Sequence, residues 1–164
     1  MRKCNRISIL FFISAMVVLA QPQPPGPIVS YQGAMIDGSV TPGKIPDLVA
    51  WRMLFIVLAD GPHAQSYSRR AAHLRDTGLS ELEISQCIQA ANVAAKRLTS
   101  GERKVQASSM PMDEKTQTLR IQRDRIIQEV VSELEKRLGF ASALKLQTIL
   151  RDRVKPRIRM TAEQ

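Results

Sequence analysis

The feature that most constrains the fold is the segment of residues 113–138, where apolar side chains recur at helical spacing. Seven apolar residues fall on one face of a helix and charged residues lie mostly around the other; the apolar set is Leu119, Ile126, Ile127, Val130, Val131, Leu134 and Leu138. Such a helix is stabilised mainly by packing its apolar face against other elements, so the pattern predicts a helical bundle. Gly139 suits the end of this helix, and Glu133 and Arg137 have the spacing of a favourable ion pair.

Caps and periodicity indicate further helices before this one. Residues 46–59 are apolar around nearly the whole helix circumference, which predicts a place at the centre of the bundle, with a buried strand as the alternative. Residues 63–77 predict a polar helix that ends at Gly78. Ser80 and Glu83 form a capping box that opens the next helix, whose apolar stripe is Ile84, Cys87, Ile88, Ala91, Ala95 and Leu98.

Residues 100–111 predict a weaker helix or a loop, and a last helix follows a turn at residues 140–142. This last helix and residues 113–138 are expected to form an antiparallel helical hairpin. The sequence therefore predicts an all-α fold, a small bundle of four to five helices that follows a disordered Pro-rich leader.

The first twenty residues have the three-part pattern of a secretory signal peptide. Three positive charges precede a 14-residue apolar run that ends with Val18 and Ala20 at the positions of a cleavage site. That run gives about 21 Å of helix, short of the roughly 30 Å of a hydrocarbon core. We expect cleavage after Ala20 and a periplasmic or secreted protein.

The remaining chain divides by composition into three parts. Residues 21–44 predict a leader or linker in which Asp37 and Gly38 would permit a small hairpin. Residues 45–155 predict the helical domain, and residues 156–164 a basic tail. Alternating basic residues precede and enter this tail, and in an extended chain they would share one side: they are Arg151, Arg153, Lys155, Arg157 and Arg159.

The net charge of +9 falls to +6 when the signal takes Arg2, Lys3 and Arg6 with it, and the mature chain is still basic. Such a charge favours acidic partners such as anionic lipid or lipopolysaccharide, and it also serves solubility. The aromatic residues are scattered, so no base-stacking platform is predicted and nucleic acid is not an expected partner. Removal of Cys4 with the signal leaves Cys87 without an intrachain partner, and its place in the apolar stripe predicts a small buried side chain.

The sequence predicts no catalytic residues, no metal site and no cofactor. His63 and His73 lack zinc-site spacing, and no nucleotide-binding or hydrolase motif is present. Paired acids such as Glu81 and Glu83 are two residues apart and would point to different faces of a helix. Two thioethers, Met110 and Met112, could hold Cu(I), although such methionines more commonly fill gaps in packing.

Two short strings resemble the LTxxQ motif of the periplasmic helical stress chaperones of the Spy and CpxP kind. The strings are Leu79-Ser80-Glu81-Leu82-Glu83 and Leu98-Thr99-Ser100-Gly101-Glu102, which keep the leucine and hydroxyl and have glutamate at the fifth position. The layout from Ile45-Pro46-Asp47, through Gly78-Leu79-Ser80, to Val154-Lys155-Pro156-Arg157 also resembles uncharacterised exported bacterial helical proteins. This resemblance implies location and fold, and no activity.

We therefore expect an exported, non-enzymatic binding or interaction protein of the cell envelope, of which a holdase-like protein is one form. The expected partner is a protein or another envelope component, and a homodimer is left open. One alternative is an anionic membrane or lipopolysaccharide binder that works through the five C-terminal basic residues. The other alternative is an enzyme of unknown class, which would need a polar cleft with perturbed titratable groups.

Overall fold

The structure is a computed structural model that describes residues 35–60 and 66–161. The predicted signal peptide, its cleavage site, residues 21–34 and His63 lie outside the described residues. Within them, the elements in chain order are β1 (Met35–Asp37), α1 (Asp47–Leu58), α2 (Tyr67–Arg75), α3 (Glu81–Gln106), α4 (Met112–Leu138), α5 (Phe140–Ile149) and β2 (Arg159–Thr161). The predicted all-α bundle is confirmed, with a two-stranded sheet added to it.

The two longest helices, α3 and α4, form the main packing contact of the bundle. The apolar stripes predicted for both supply its core: Ile84, Cys87, Ile88 and Ala91 of α3 and Ile127, Val130, Val131 and Leu134 of α4 are buried. The expected interruption at residues 100–111 is wrong, because α3 continues unbroken to Gln106. Gly101 is buried in this helix, where a Cβ atom would lie 2.8 Å from the Gln122 side chain on α4, so a glycine allows the close contact between α3 and α4 there.

Side chains cap the start of α3 as predicted. The Ser80 hydroxyl accepts from the backbone N–H of Glu83, and the Glu83 carboxylate accepts from the backbone N–H of Ser80 at 2.6 Å. The Ser142 hydroxyl on α5 also donates to this carboxylate. Hydrogen bonds from both serines lower the pKa of Glu83 from 4.5 to about 2, so this carboxylate joins the start of α3 to α5 in its charged form.

Helices α4 and α5 form the predicted hairpin on either side of Gly139, which has a φ of 76°. The Gln147 amide on α5 donates to the Glu135 carboxylate on α4 at 3.1 Å, which ties the two arms together. The expected pair of Glu133 with Arg137 is replaced by a contact across helices, because Glu133 lies 3.6 Å from Nη1 of Arg97 on α3. An exposed pair of this kind adds little stability, so apolar packing holds these helices together.

The two ends of the described chain meet in the small sheet. β1 pairs with β2 in antiparallel register, Met35 opposite Thr161. The hairpin expected around Asp37 and Gly38 is therefore wrong, because β1 pairs with a strand from the far end of the chain. Gly38 is buried against residues 150–161, which we call the C-terminal segment. A Cβ atom at this position would lie 1.9 Å from the carbonyl oxygen of Lys155.

Candidate functional site

The outward face of α1 is apolar and open to solvent. One side of this helix is buried through Ala50, Trp51, Leu54, Phe55 and Leu58. On the other side Met53, Ile56 and Val57 are 37%, 61% and 43% exposed. α1 packs against α2, α3 and α4, as its predicted place at the centre of the bundle requires, but this small fold leaves one side of the helix uncovered. We call Met53, Ile56 and Val57 the α1 ridge.

A groove lies on one side of the ridge, between α1, α2 and the C-terminal segment. Its volume is about 310 Å³, and we call it the C-terminal groove. Met53, Leu54 and Val57 of α1 line it together with Ile149, the last residue of α5, and with Val154 and Ile158 of the C-terminal segment. Polar groups from both walls also reach it: His73, Asp76, Arg153 and Arg157. The groove thus combines an apolar lining with an excess of basic side chains.

The backbone separates the five basic residues predicted to form one surface. Residues Leu150–Val154 form a short π-helix and Lys155–Arg157 a 3-10 turn around Pro156, so only Arg159 of the five lies in a strand. The five side chains therefore do not share one side of an extended chain, as was expected from their alternation. Ile158 and Met160 are buried, which fixes this segment to the body of the protein instead of leaving it as a solvated tail.

Three of these five residues form ion pairs with carboxylates. Lys155 lies 2.5 Å from Asp47, Arg159 lies 3.2 Å from Asp37, and Arg151 bonds its neighbour Asp152 at 2.7 Å. For Arg153 and Arg157, no carboxylate of residues 35–60 and 66–161 lies within ion-pair distance. The structure brings these two together in the C-terminal groove.

A second groove, which we call the three-helix groove, lies on the other side of the ridge, between α1, α3 and α4. Its volume is about 410 Å³, and its lining residues are Arg52, Met53, Ile56, Leu98, Glu102, Leu119, Gln122, Arg123 and Ile126. The sequence pattern does not predict this site, because the charged residues of 113–138 are expected mostly on the side away from the apolar face, whereas Arg123 of α4 lines the groove. The signal that could have found it is Arg52, a charge inside an otherwise apolar run.

The remaining candidate groups do not form a reactive cluster in the described part of the chain. Cys87 is buried as predicted, and burial with the nearby charge of Glu83 raises its pKa to about 12, which suppresses the reactive thiolate. His73 is exposed at the C-terminal groove. Met110 lies near the Thr118 hydroxyl, whereas Met112 is 71% exposed. Among the described residues, no three His, Cys, Asp or Glu side chains are grouped to hold a metal ion.

Comparison with known proteins adds one finding: no family model, curated protein or solved structure matches this chain. In the described ranges, the helices are too short or too polar to cross a bilayer. The binding properties of the α1 ridge and its two grooves are therefore inferred from their own geometry and charge.

Proposed function

We propose that this is an exported, non-enzymatic binding protein of the cell envelope, whose α1 ridge and C-terminal groove hold an apolar, acidic polypeptide segment of another protein. The observation that carries the proposal is the α1 ridge, three apolar side chains left open beside a groove with arginines in its lining. Export rests on the signal-peptide pattern of residues 1–20.

Apolar contacts would supply most of the binding energy at this surface. Covering apolar area is worth roughly 25 cal/mol per Å², and the ridge presents three half-exposed or exposed side chains side by side on one helix. Its partly open groove accepts side chains of a partner without a large rearrangement. A shallow surface of this kind favours weak contacts with many sequences, which is the behaviour of a holdase.

Charge would select acidic segments. Arg153 and Arg157 line the groove with no carboxylate of the described chain within ion-pair distance, and an incoming carboxylate can accept from either guanidinium. Asp76 lies in the same lining and repels that carboxylate, so the arginine side of the groove is the favoured position. Attraction between exposed charges weakens as salt is raised, whereas apolar contact does not.

The test uses two synthetic amphipathic peptides that differ only in charge, one with glutamates on its polar face and the other with lysines. We expect the acidic peptide to bind and to lose about tenfold in affinity to the double variant Arg153→Gln, Arg157→Gln, measured by fluorescence anisotropy. The control double variant Arg120→Gln, Arg137→Gln removes the same charge from exposed positions of α4 that line neither groove. Equal binding of both peptides, or equal losses in both variants, would contradict the proposal.

A second candidate function is binding of an anionic membrane or lipopolysaccharide. The same two arginines favour it, since each basic residue near a charged lipid surface is worth about 1 kcal/mol. Only Arg153 and Arg157 of the five predicted residues are available without breaking an ion pair of the described chain. Sedimentation with phosphatidylglycerol vesicles, lost in 0.5 M salt (roughly three times physiological ionic strength) and absent with phosphatidylcholine vesicles, would favour this function over the first.

A further inference from the structure

The three-helix groove has an apolar lining drawn from three helices. Met53 and Ile56 come from α1, Leu98 from α3, and Leu119 and Ile126 from α4. Leu119 and Ile126 are seven residues apart, two helical turns, so they stand above one another on the same face of α4. The lining is therefore a strip that follows α4, and an alkyl chain fits such a strip better than a compact polar molecule does.

Two guanidinium groups share this groove. Arg52 and Arg123 are both half-buried, and in the described ranges neither has a carboxylate within ion-pair distance or a side-chain hydrogen bond. Burial lowers the pKa of Arg52, and the nearby charge of Arg123 lowers it further, while Asp124 acts in the opposite direction. Two like charges in one half-buried groove repel each other, and an anion placed between them would relieve that repulsion.

We propose that the three-helix groove binds a single-chain anionic amphiphile, with its anionic head between Arg52 and Arg123 and its alkyl chain along the apolar strip. A carboxylate or phosphate head can accept from both guanidinium groups, which relieves their repulsion. The chain covers Met53 and Ile56, which are otherwise exposed to water. Neither the head nor the chain alone satisfies both features of the groove.

Glu102 predicts an effect on affinity opposite to that of the two arginines. Nonspecific apolar binding in the groove would not show this difference. The Glu102 carboxylate also lines the groove and repels an anionic head. Because Arg52 and Arg123 are in the same lining, its net charge stays positive. The head is therefore held at the arginines, and removal of the Glu102 charge should strengthen binding. Loss of either arginine should weaken it.

This inference shares the α1 ridge with the proposed function, but its charged groups differ: they are Arg52 and Arg123 here, and Arg153 and Arg157 in the C-terminal groove. Met53 is the one residue that lines both, so it is left unchanged here. Failure of the peptide test would leave this site standing, and failure of the amphiphile test would leave the C-terminal groove standing.

Isothermal titration calorimetry measures the binding of sodium decanoate, kept below its micelle concentration. The protein is expressed from the full sequence and then purified. Sodium acetate supplies the head without the chain, and 1-decanol the chain without the charge. We expect decanoate to bind at least about tenfold more tightly than 1-decanol, and acetate to give no measurable heat, because charge-assisted bonds and apolar burial act together.

Four variants locate the site. Arg123→Gln is expected to weaken decanoate binding about tenfold, and Ile56→Ser several-fold, whereas Glu102→Gln is expected to strengthen it about twofold to fivefold. Arg120→Gln is the matched control, an exposed arginine of α4 outside the groove, and is expected to leave the affinity unchanged. All four positions are exposed or half-buried, and circular dichroism checks that each variant folds. Equal binding of decanoate and 1-decanol, or equal effects of Arg123→Gln and Arg120→Gln, would overturn the proposal.

Discussion

The contact between α3 and α4 and the outward face of α1 are both rich in apolar side chains, but only the first is closed to water. Ile127 between the long helices is 1% exposed, whereas Ile56 on the ridge is 61% exposed. The first surface is accounted for by folding, since the side chains of its two apolar stripes are buried where the helices pack. On the α1 ridge, 37–61% of each side chain stays exposed after folding, and this apolar surface beside grooves lined by arginines is what distinguishes a binding face from a core.

The most direct test of this difference removes most of an isoleucine side chain from each surface and compares the losses of stability. Ile127→Ala is expected to lower the free energy of unfolding by about 2–5 kcal/mol, because it leaves a cavity in a dry contact. Ile56→Ala is expected to change it by less than about 0.5 kcal/mol, because water already surrounds most of that side chain. Urea unfolding followed by circular dichroism measures both. Comparable losses would mean that the ridge is part of the structural core.

The next test asks whether the C-terminal wall of the groove is held by the body of the protein. Gly38→Ala would place a Cβ atom 1.9 Å from the carbonyl oxygen of Lys155, and we expect a loss of about 1–3 kcal/mol as the backbone moves apart. Gly43→Ala is the control, because nothing lies within 4 Å of a Cβ atom there. The same urea unfolding measurement applies. If both variants were equally stable, the C-terminal segment would not be docked as described.

A smaller effect is expected at the polar contact that joins α3 to α5. Folding lowers the pKa of Glu83 from 4.5 to about 2. The contribution of Glu83 to the free energy of unfolding is therefore present above pH 4.5 and is lost as the pH falls toward 2. Glu83→Gln should cost about 1 kcal/mol at pH 7, a value limited by solvent screening of a half-buried group, and should flatten the stability profile in that pH range.

The matched control for this variant is Glu81→Gln, in the same helical turn. Glu81 pairs with Arg75 at an exposed site, 2.9 Å away, so its loss should cost less than about 0.5 kcal/mol. Unfolding measured at several pH values separates the two variants. A stability profile for Glu83→Gln that keeps the slope of the unchanged protein between pH 4.5 and 2 would show that Glu83 is not the titrating group.

The helices and their caps could be predicted from the sequence because the signals are local. The spacing of Ile127, Val130 and Leu134 and the capping box of Ser80 each depend on residues within one or two helical turns. The pairing of β1 with β2 could not be predicted in this way, since it joins opposite ends of the chain and depends on how the bundle folds between them.

The candidate site was predicted only in part, for the same reason. Arg153 and Arg157 were among the residues named from the sequence, but their neighbours in the groove come from α1 and α2. The extended geometry expected for them is replaced by a π-helix and a 3-10 turn, since Ile158 anchors the segment in the core. Arg52 and Arg123 meet only through the packing of α1 on α4, which periodicity alone does not give.

The measurement that tests the central claim most directly is the affinity of the acidic amphipathic peptide for the double variant Met53→Ser, Val57→Ser, with unfolding measured in parallel. Both side chains belong to the α1 ridge and line the C-terminal groove. A binding face predicts an affinity loss of about tenfold or more in a protein that still unfolds cooperatively, with a smaller fall in the urea midpoint than Ile127→Ala causes. Unchanged peptide affinity, with or without a change in stability, would contradict the account.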